Sequence, residues 1–203
     1  MTDYDDLTAL QADLYNCRKC AEAGHSIESL SIFSGSASAR LMLVGQAPGT
    51  SEAPQERPFN GDAGRRLFEW LGRAGWDEQT FRGTCYITSV TKCFPGKAPD
   101  GDGDRVPSAA ERALCRPWLD GELRLVNPEI IVPVGSLAIS LFYPPQLRLA
   151  DVIGESMVDA QGRHILPLPH PSGASRWLND PINAGRLEQA LYRLRTLKAQ
   201  FGL

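Results

Sequence analysis

Arg40-Leu-Met-Leu-Val44 is a short apolar run that stops at Gly45, after which the chain turns through Gln46-Ala47-Pro48-Gly49. A run of this length, bounded by a charge and a glycine, reads as a buried strand with its exit turn. The signature recurs in Cys85-Tyr-Ile-Thr-Ser89, in Glu129 to Val134 and in Arg163 to Leu166. Helical patterns alternate with these strands. Leu67, Phe68 and Leu71 share one face of a helix over Asp62 to Leu71. Ser108-Ala-Ala-Glu111 is a capping box opening a helix through Leu123, since Ser can bond the third amide while Glu reaches back. Another helix starts near Ser136. Asp180-Pro181 opens a last one that carries Leu187, Leu191 and Leu194. The alternation predicts an α/β fold: three layers, α/β/α, around a central, mainly parallel four-stranded sheet. Ahead of it, Leu7, Leu10 and Leu14 predict one amphipathic helix running into Cys17.

Residues 1–203 read as a single domain, because apolar elements of one kind flank the loop Phe94 to Pro107, rich in Gly, Pro and Asp, on both sides. Hydrophobic residues at 42% and charged residues at 22% exclude a disordered or fibrous chain. The balance of 21 basic against 24 acidic residues gives a net charge of -3. A nucleic-acid partner therefore needs a local basic cluster rather than a global field. The longest apolar run, Ile130 to Tyr143, is broken by Pro133, Gly135 and Ser136 and is too short for a bilayer. The first fifteen residues are acidic and polar and do not read as a signal peptide, so the expectation is a cytoplasmic protein without a membrane partner.

Five cysteines in a reducing compartment read as thiolate ligands and a spare thiol rather than as disulfides. Cys17-x-x-Cys20 brings two thiolates together, Cys93 follows the second strand and Cys115 lies in the next helix. Cys85 is the buried spare. Spacing alone leaves a four-cysteine zinc site as plausible as an iron–sulfur cluster, because both take four thiolates.

In a parallel sheet the ligand lies outside the carboxyl ends of the strands, so the segments after Val44, Ser89, Val134 and Leu166 should face it together. Gly45 to Gly49 lacks the lysine and the glycine spacing of a phosphate loop. It can still aim amides at an anionic or carbonyl ligand, the plain alternative being an ordinary strand-exit turn. Further on come Arg57-Pro-Phe-Asn-Gly-Asp-Ala-Gly64, Tyr86-Ile-Thr-Ser-Val-Thr-Lys-Cys93 and His170-Pro-Ser-Gly-Ala-Ser-Arg176. In this order, on these strand exits, the chain resembles the uracil-DNA glycosylase superfamily, and within it the iron–sulfur branches, families 4 and 5. The resemblance runs from Cys17 to about Arg176. Gln46 stands where family 4 has Glu, and Ala47 where family 1 has Asp. Asp62 matches an Asp of family 5. Ser89, in place of the family 4 Asn, and His170-Pro171-Ser172 lean toward family 5.

The resemblance implies a monofunctional DNA glycosylase, a monomer that hydrolyses uracil, and by extension hypoxanthine or xanthine, from DNA and so initiates base excision repair. It implies a [4Fe–4S] cluster held by Cys17, Cys20, Cys93 and Cys115, with zinc the alternative. Such an enzyme flips the base out and reads it by stacking and edge hydrogen bonds. Phe59 would stack, while Gln46, Ala47, Ser89 and His170 would contact the base. Donors aimed at the departing anion are worth about 3 kcal/mol each, which casts the Gln46 and Ala47 amides and His170 in that role. Asp62 would steady the sugar cation and orient a water, as carboxylates do in sugar hydrolysis. Its plain alternative is a favourable charge at a helix start. Arg65, Arg66, Ser172 and Arg176 would meet DNA, with Trp177 or Leu178 as wedge. Solvated arginines and a Trp packed on the domain are the alternatives. Two rival functions follow from the same residues: a uracil- or damaged-DNA binder with little turnover, since Gln46 and Ala47 remove both first-motif carboxylates, and an iron–sulfur protein with a redox or scaffolding role.

Overall fold

The computed structural model of the protein describes residues 4–99, 101, 103–173 and 176–203. Along the chain come α1 (Leu7–Tyr15), α2 (Lys19–Glu22), β1 (Leu41–Gly45), α3 (Asp62–Arg73), α4 (Glu78–Thr84) and β2 (Tyr86–Ser89). Then follow α5 (Ala109–Val126), β3 (Ile130–Pro133), α6 (Ser136–Ile139), α7 (Leu149–Val152), β4 (Met157–Val158), β5 (His164–Ile165) and α8 (Pro181–Phe201). Among the described residues the sheet order is β2-β1-β3-β5-β4. β1 is central. It pairs in parallel with β2, Leu43 opposite Ile87, and with β3, Leu43 opposite Val132.

Successive strand residues point to opposite faces, and β1 has both faces covered. Leu41 and Leu43 join Leu67, Phe81, Leu187, Leu191 and Leu194 in the core beneath α3, α4 and α8. Met42 and Val44 join Leu10, Leu14 and Leu119 beneath α1 and α5. These are the three expected layers. The sheet has five strands rather than four. The extra one, β4, is a two-residue edge strand antiparallel to β5, too short to leave a periodic signal. The fourth expected strand, Arg163 to Leu166, is regular only over His164–Ile165, and its line continues as a bridge from Leu168 to Val134.

Helix ends follow local chemistry. The Ser108 hydroxyl accepts the Glu111 amide at 3.2 Å while Glu111 accepts the Ser108 amide at 2.7 Å. Asp180 accepts the Ile182 amide at 2.8 Å, with Pro181 as the first helical residue. α5 runs three residues past Leu123, through Pro117. The N-terminal helix stops at Tyr15, so Cys17 and Cys20 sit on a turn and on α2 rather than on one continuous helix. The helix at Ser136 lasts four residues. Asp100 and Asp102 of the Gly/Pro/Asp loop lie outside the described residues. Where described, that loop is tied down by Arg105, which donates to the Pro95 carbonyl and, through both terminal nitrogens at 2.7 Å, to Glu111. The guanidinium holds the Glu111 carboxyl down at about 2. No described helix is long and apolar enough to cross a membrane.

Candidate functional site

At the carboxyl ends of β1 and β2 a small pocket is lined by Gly45, Ala47, Pro48, Glu52, Pro58, Phe59, Thr88 and Ser89. Three separate segments supply Ala47, Phe59 and Ser89, and the fold brings them to one place. The volume is about 20 Å³, room for roughly one water, so the pocket must widen for anything as large as a base. No described residue accepts a hydrogen bond from the Ala47 amide, which leaves a backbone donor available at the pocket wall. The Ser89 hydroxyl donates to the Thr91 carbonyl at 2.7 Å and keeps its lone pairs free.

Phe59 has φ +52, a left-handed conformation that costs an L-residue about 1–2 kcal/mol. Its surroundings impose that conformation. The ring lies on the β1 exit, where a Cβ on Gly45 would meet its Cζ at 2.8 Å. A Cβ on Gly64 would overlap the Phe59 carbonyl. The Phe59 amide donates to Glu52, which also takes the Gly49 amide. Burial raises the Glu52 carboxyl above the usual range. Glu52 went unnoticed in the sequence, where it reads as one polar residue in a loop. It brings to this pocket the carboxylate that Gln46 and Ala47 lack.

The remaining expected residues are distributed around this centre. Gln46 does not line the pocket; its carbonyl accepts the Thr91 amide at 3.2 Å. Asp62 opens α3 with its side chain in solvent, ion-paired with Arg65, on a neighbouring polar cavity of about 440 Å³ that shares Phe59. His170 lines neither cavity. It packs against Gly135 at the β3 exit, where a Cβ would meet its Cδ2 at 3.0 Å. Its Nδ1 accepts the Ser172 amide at 3.2 Å, which leaves the proton of the neutral ring on Nε2. Burial lowers its pKa. Arg66 lies 5.7 Å from the Trp70 ring centre, and Arg176 is exposed. Trp177 packs against Ile139, Val152 and Ile153, and Leu178 against the core beneath α8. Ala174 and Ser175 of the expected DNA-contacting loop lie outside the described residues.

Behind the β2 exit lies a second chamber. Cys17, Cys20, Cys93 and Cys115 line one cavity of about 330 Å³ together with Thr91, Lys92, Glu111 and Trp118. Burial pushes the Cys115 thiol up to about 12 and the Cys20 thiol up to about 11. Cys85 lies elsewhere, buried in the core beneath α3 and α8. No three Cys, His, Asp or Glu side chains among the described residues converge tightly enough to hold a single ion. A single zinc would draw its sulfurs to about 2.3 Å, whereas a four-iron cluster is larger, and the cavity has room for it. Among the described residues, two polar atoms of residues lining this wall lack a partner, the Thr91 hydroxyl and the Trp118 indole N–H. Both can donate, and hydrogen bonds to the sulfurs are one of the protein's means of tuning such a cluster. The residues therefore fit a cluster of that size.

Between chamber and pocket, Lys92 and Glu122 form a fully buried ion pair at 2.7 Å. Glu122 also accepts from Tyr86 at 3.1 Å and Thr88 at 2.9 Å, while Lys92 donates to Thr88 and to the Ser89 carbonyl. The strand end that walls the pocket is thus fixed by charge.

A parallel-sheet α/β domain with a pocket at its strand exits defines a ligand-binding class, and comparison with known proteins supplies the family. The family model of the uracil DNA glycosylase superfamily matches residues 33–195. The chain belongs to that superfamily of DNA glycosylases, on its type-4/type-5 branch. It is 32% identical over 139 residues to the Type-4 uracil-DNA glycosylase of Thermotoga maritima, covering 68% of this chain and 67% of the relative. To that of Pyrobaculum aerophilum it is 31% identical, covering 74% and 71%. The Type-5 uracil-DNA glycosylase of Pyrobaculum aerophilum is 32% identical, covering 75% and 67%.

Proposed function

We propose that the protein is a monofunctional glycosylase that hydrolyses the bond between uracil and deoxyribose in DNA, acts on hypoxanthine or xanthine by the same chemistry, and so initiates base excision repair. The supporting observation is the convergence of the left-handed Phe59, the free Ala47 amide and Ser89 on one pocket at the strand exits. In the reaction the bonding pair leaves with the base, water adds to the sugar carbon, and the proton of that water is released. The Ala47 amide stabilises the departing anion. The Phe59 ring stacks on the flipped base and Ser89 meets its edge. His170 and Gln46 close on the base from their own loops as DNA seats. Asp62, on the adjoining cavity, orients the water and steadies the sugar cation once DNA covers it and draws Arg65 to a phosphate. Arg66, Ser172, Arg176 and Trp177 form the rest of the DNA face. The protein works as a monomer, in the cytoplasm alongside the DNA it repairs.

Cys17, Cys20, Cys93 and Cys115 would hold a [4Fe–4S] cluster. When bound, the group supplies a four-point anchor between the N-terminal segment and α5. The Thr91 and Trp118 donors line the same cavity and would be available to its sulfurs, and the Lys92–Glu122 pair fixes the adjoining strand end.

Labelled duplexes bearing uracil, hypoxanthine or xanthine, incubated with protein and then treated with alkali, test the reading. Breaks at the uracil position over several turnovers support it, and the ranking of bases gives the substrate range. Tight binding without alkali-labile sites favours the binder.

A further inference from the structure

Arg82 belongs to none of the segments that carry the family resemblance, yet every nitrogen of its guanidinium is committed near the pocket. Nη1 donates to the Pro58 carbonyl at 2.7 Å and Nη2 to the Phe59 carbonyl at 2.9 Å. Nε donates to Glu78 at 2.8 Å, and the group lies 4.3 Å from the Phe68 ring centre. The side chain is only 11% exposed. The two carbonyls it holds flank the bond at which the chain enters its left-handed turn. With the amide of Phe59 on Glu52 and its carbonyl on Arg82, this strained peptide is gripped from both ends. A planar fork spreads fixed donors toward two successive carbonyls and an acid at once, whereas an ammonium gathers its three donors on a single nitrogen. Strain of this kind persists only where the surroundings over-determine it.

We propose that Arg82 is a positioning residue for Phe59: it holds the Pro58–Phe59 carbonyls so that the ring is already placed for a flipped base when DNA arrives. This rests on the reading of Phe59 as the stacking residue.

A double-mutant cycle tests it. Arg82→Met keeps the stem over Phe68 and removes all donors; Phe59→Ala removes the ring. Single-turnover release from a uracil duplex is measured at saturating protein for wild type, both single variants and the double variant. Thermal midpoint and affinity for undamaged duplex are followed in parallel. A shift well under 1 Å in a reacting constellation costs somewhat less than the ~10²-fold expected of a full ångström, so Arg82→Met is expected to slow release about 10- to 50-fold with affinity for undamaged duplex unchanged. In the Phe59→Ala background the same substitution should change the rate less than about 2-fold, because coupled residues are not additive. Arg82→Lys, which keeps the charge but gathers its donors on one nitrogen, should recover part of the rate and serves if Arg82→Met does not fold. Independent, multiplying losses, or a wild-type rate for Arg82→Met, overturn the proposal. A wild-type rate for Phe59→Ala overturns the stacking reading and the proposal together. A wild-type protein that releases no base shows that the proposed function itself has failed.

Discussion

Gly64 and Gly72 lie on the same helix, α3, and the structure separates them sharply. A Cβ on Gly64 would overlap the carbonyl carbon and oxygen of Phe59, whereas a Cβ on Gly72 meets nothing within 4 Å. Replacing a mid-helix glycine with alanine is ordinarily stabilising by about 0.5–1 kcal/mol, and Gly72→Ala is expected to follow that rule with the base-release rate unchanged. Gly64→Ala gains the same helical propensity, but its methyl group collides with backbone rather than with a flexible side-chain tip. The Phe59 carbonyl has to retreat by about 1 Å, and a displacement of that size at a reacting constellation is worth about 10²-fold in rate. The carbonyl also leaves Arg82, which strains the 2.9 Å bond there. The assay is single-turnover release of uracil from a labelled duplex, beside urea unfolding of both variants. Gly64→Ala should lose about two orders of magnitude in rate. A Gly64→Ala protein within about 3-fold of wild type would refute the argument that the Phe59 backbone position sets the rate.

Three further outcomes follow from other parts of the molecule. Lys92→Met leaves Glu122 as a buried, uncompensated carboxylate and should cost about 3–5 kcal/mol; adding Glu122→Gln should restore a substantial part, so losses that simply add in urea unfolding count against the network. Because burial lowers the His170 pKa, its folded value lies below the unfolded 6.5 or so, and its contribution to stability is present above that pH and lost as pH falls below it. The single-turnover rate should likewise be flat from about pH 6.5 to 8 and fall only on the acid side, and a rate that rises on acidification contradicts the neutral, Nε2-protonated ring. Cys115→Ser should lower iron and sulfide content per chain, whereas Cys85→Ser should leave it unchanged, and equal metal content in both would remove the four-cysteine assignment.

The layers were legible because each strand is an apolar run with a clear stop and each main helix carries its own cap. Ser108 and Glu111 announce α5 in four letters, and the structure forms both bonds. β4 was not legible, since two residues have no period. α4 was not legible either: Phe81 is its one buried residue. The strand exits after Val44 and Ser89 were legible in the pattern, but it was the family resemblance that singled out Ala47, Phe59 and Ser89. Glu52 and Arg82 could not. Their role is to hold backbone groups of residues brought near by the fold, and a contact from Arg82 to the Pro58 and Phe59 carbonyls leaves no periodicity and no motif. The left-handed Phe59 was hidden for the same reason, since that conformation is announced by glycine or asparagine and not by phenylalanine. The placement of Trp177 against Ile139 and Val152 depends likewise on the short helices α6 and α7, which the sequence signals weakly.

The central claim is that this pocket turns over a base. The most direct measurement is the number of free uracil molecules released per protein chain from excess uracil-containing duplex, with iron content determined on the same sample. Release well beyond one uracil per chain, leaving intact but alkali-labile strands, is the predicted result. Stoichiometric binding with no free uracil, from protein carrying its full complement of iron, would contradict the account and make the protein a binder on a glycosylase fold.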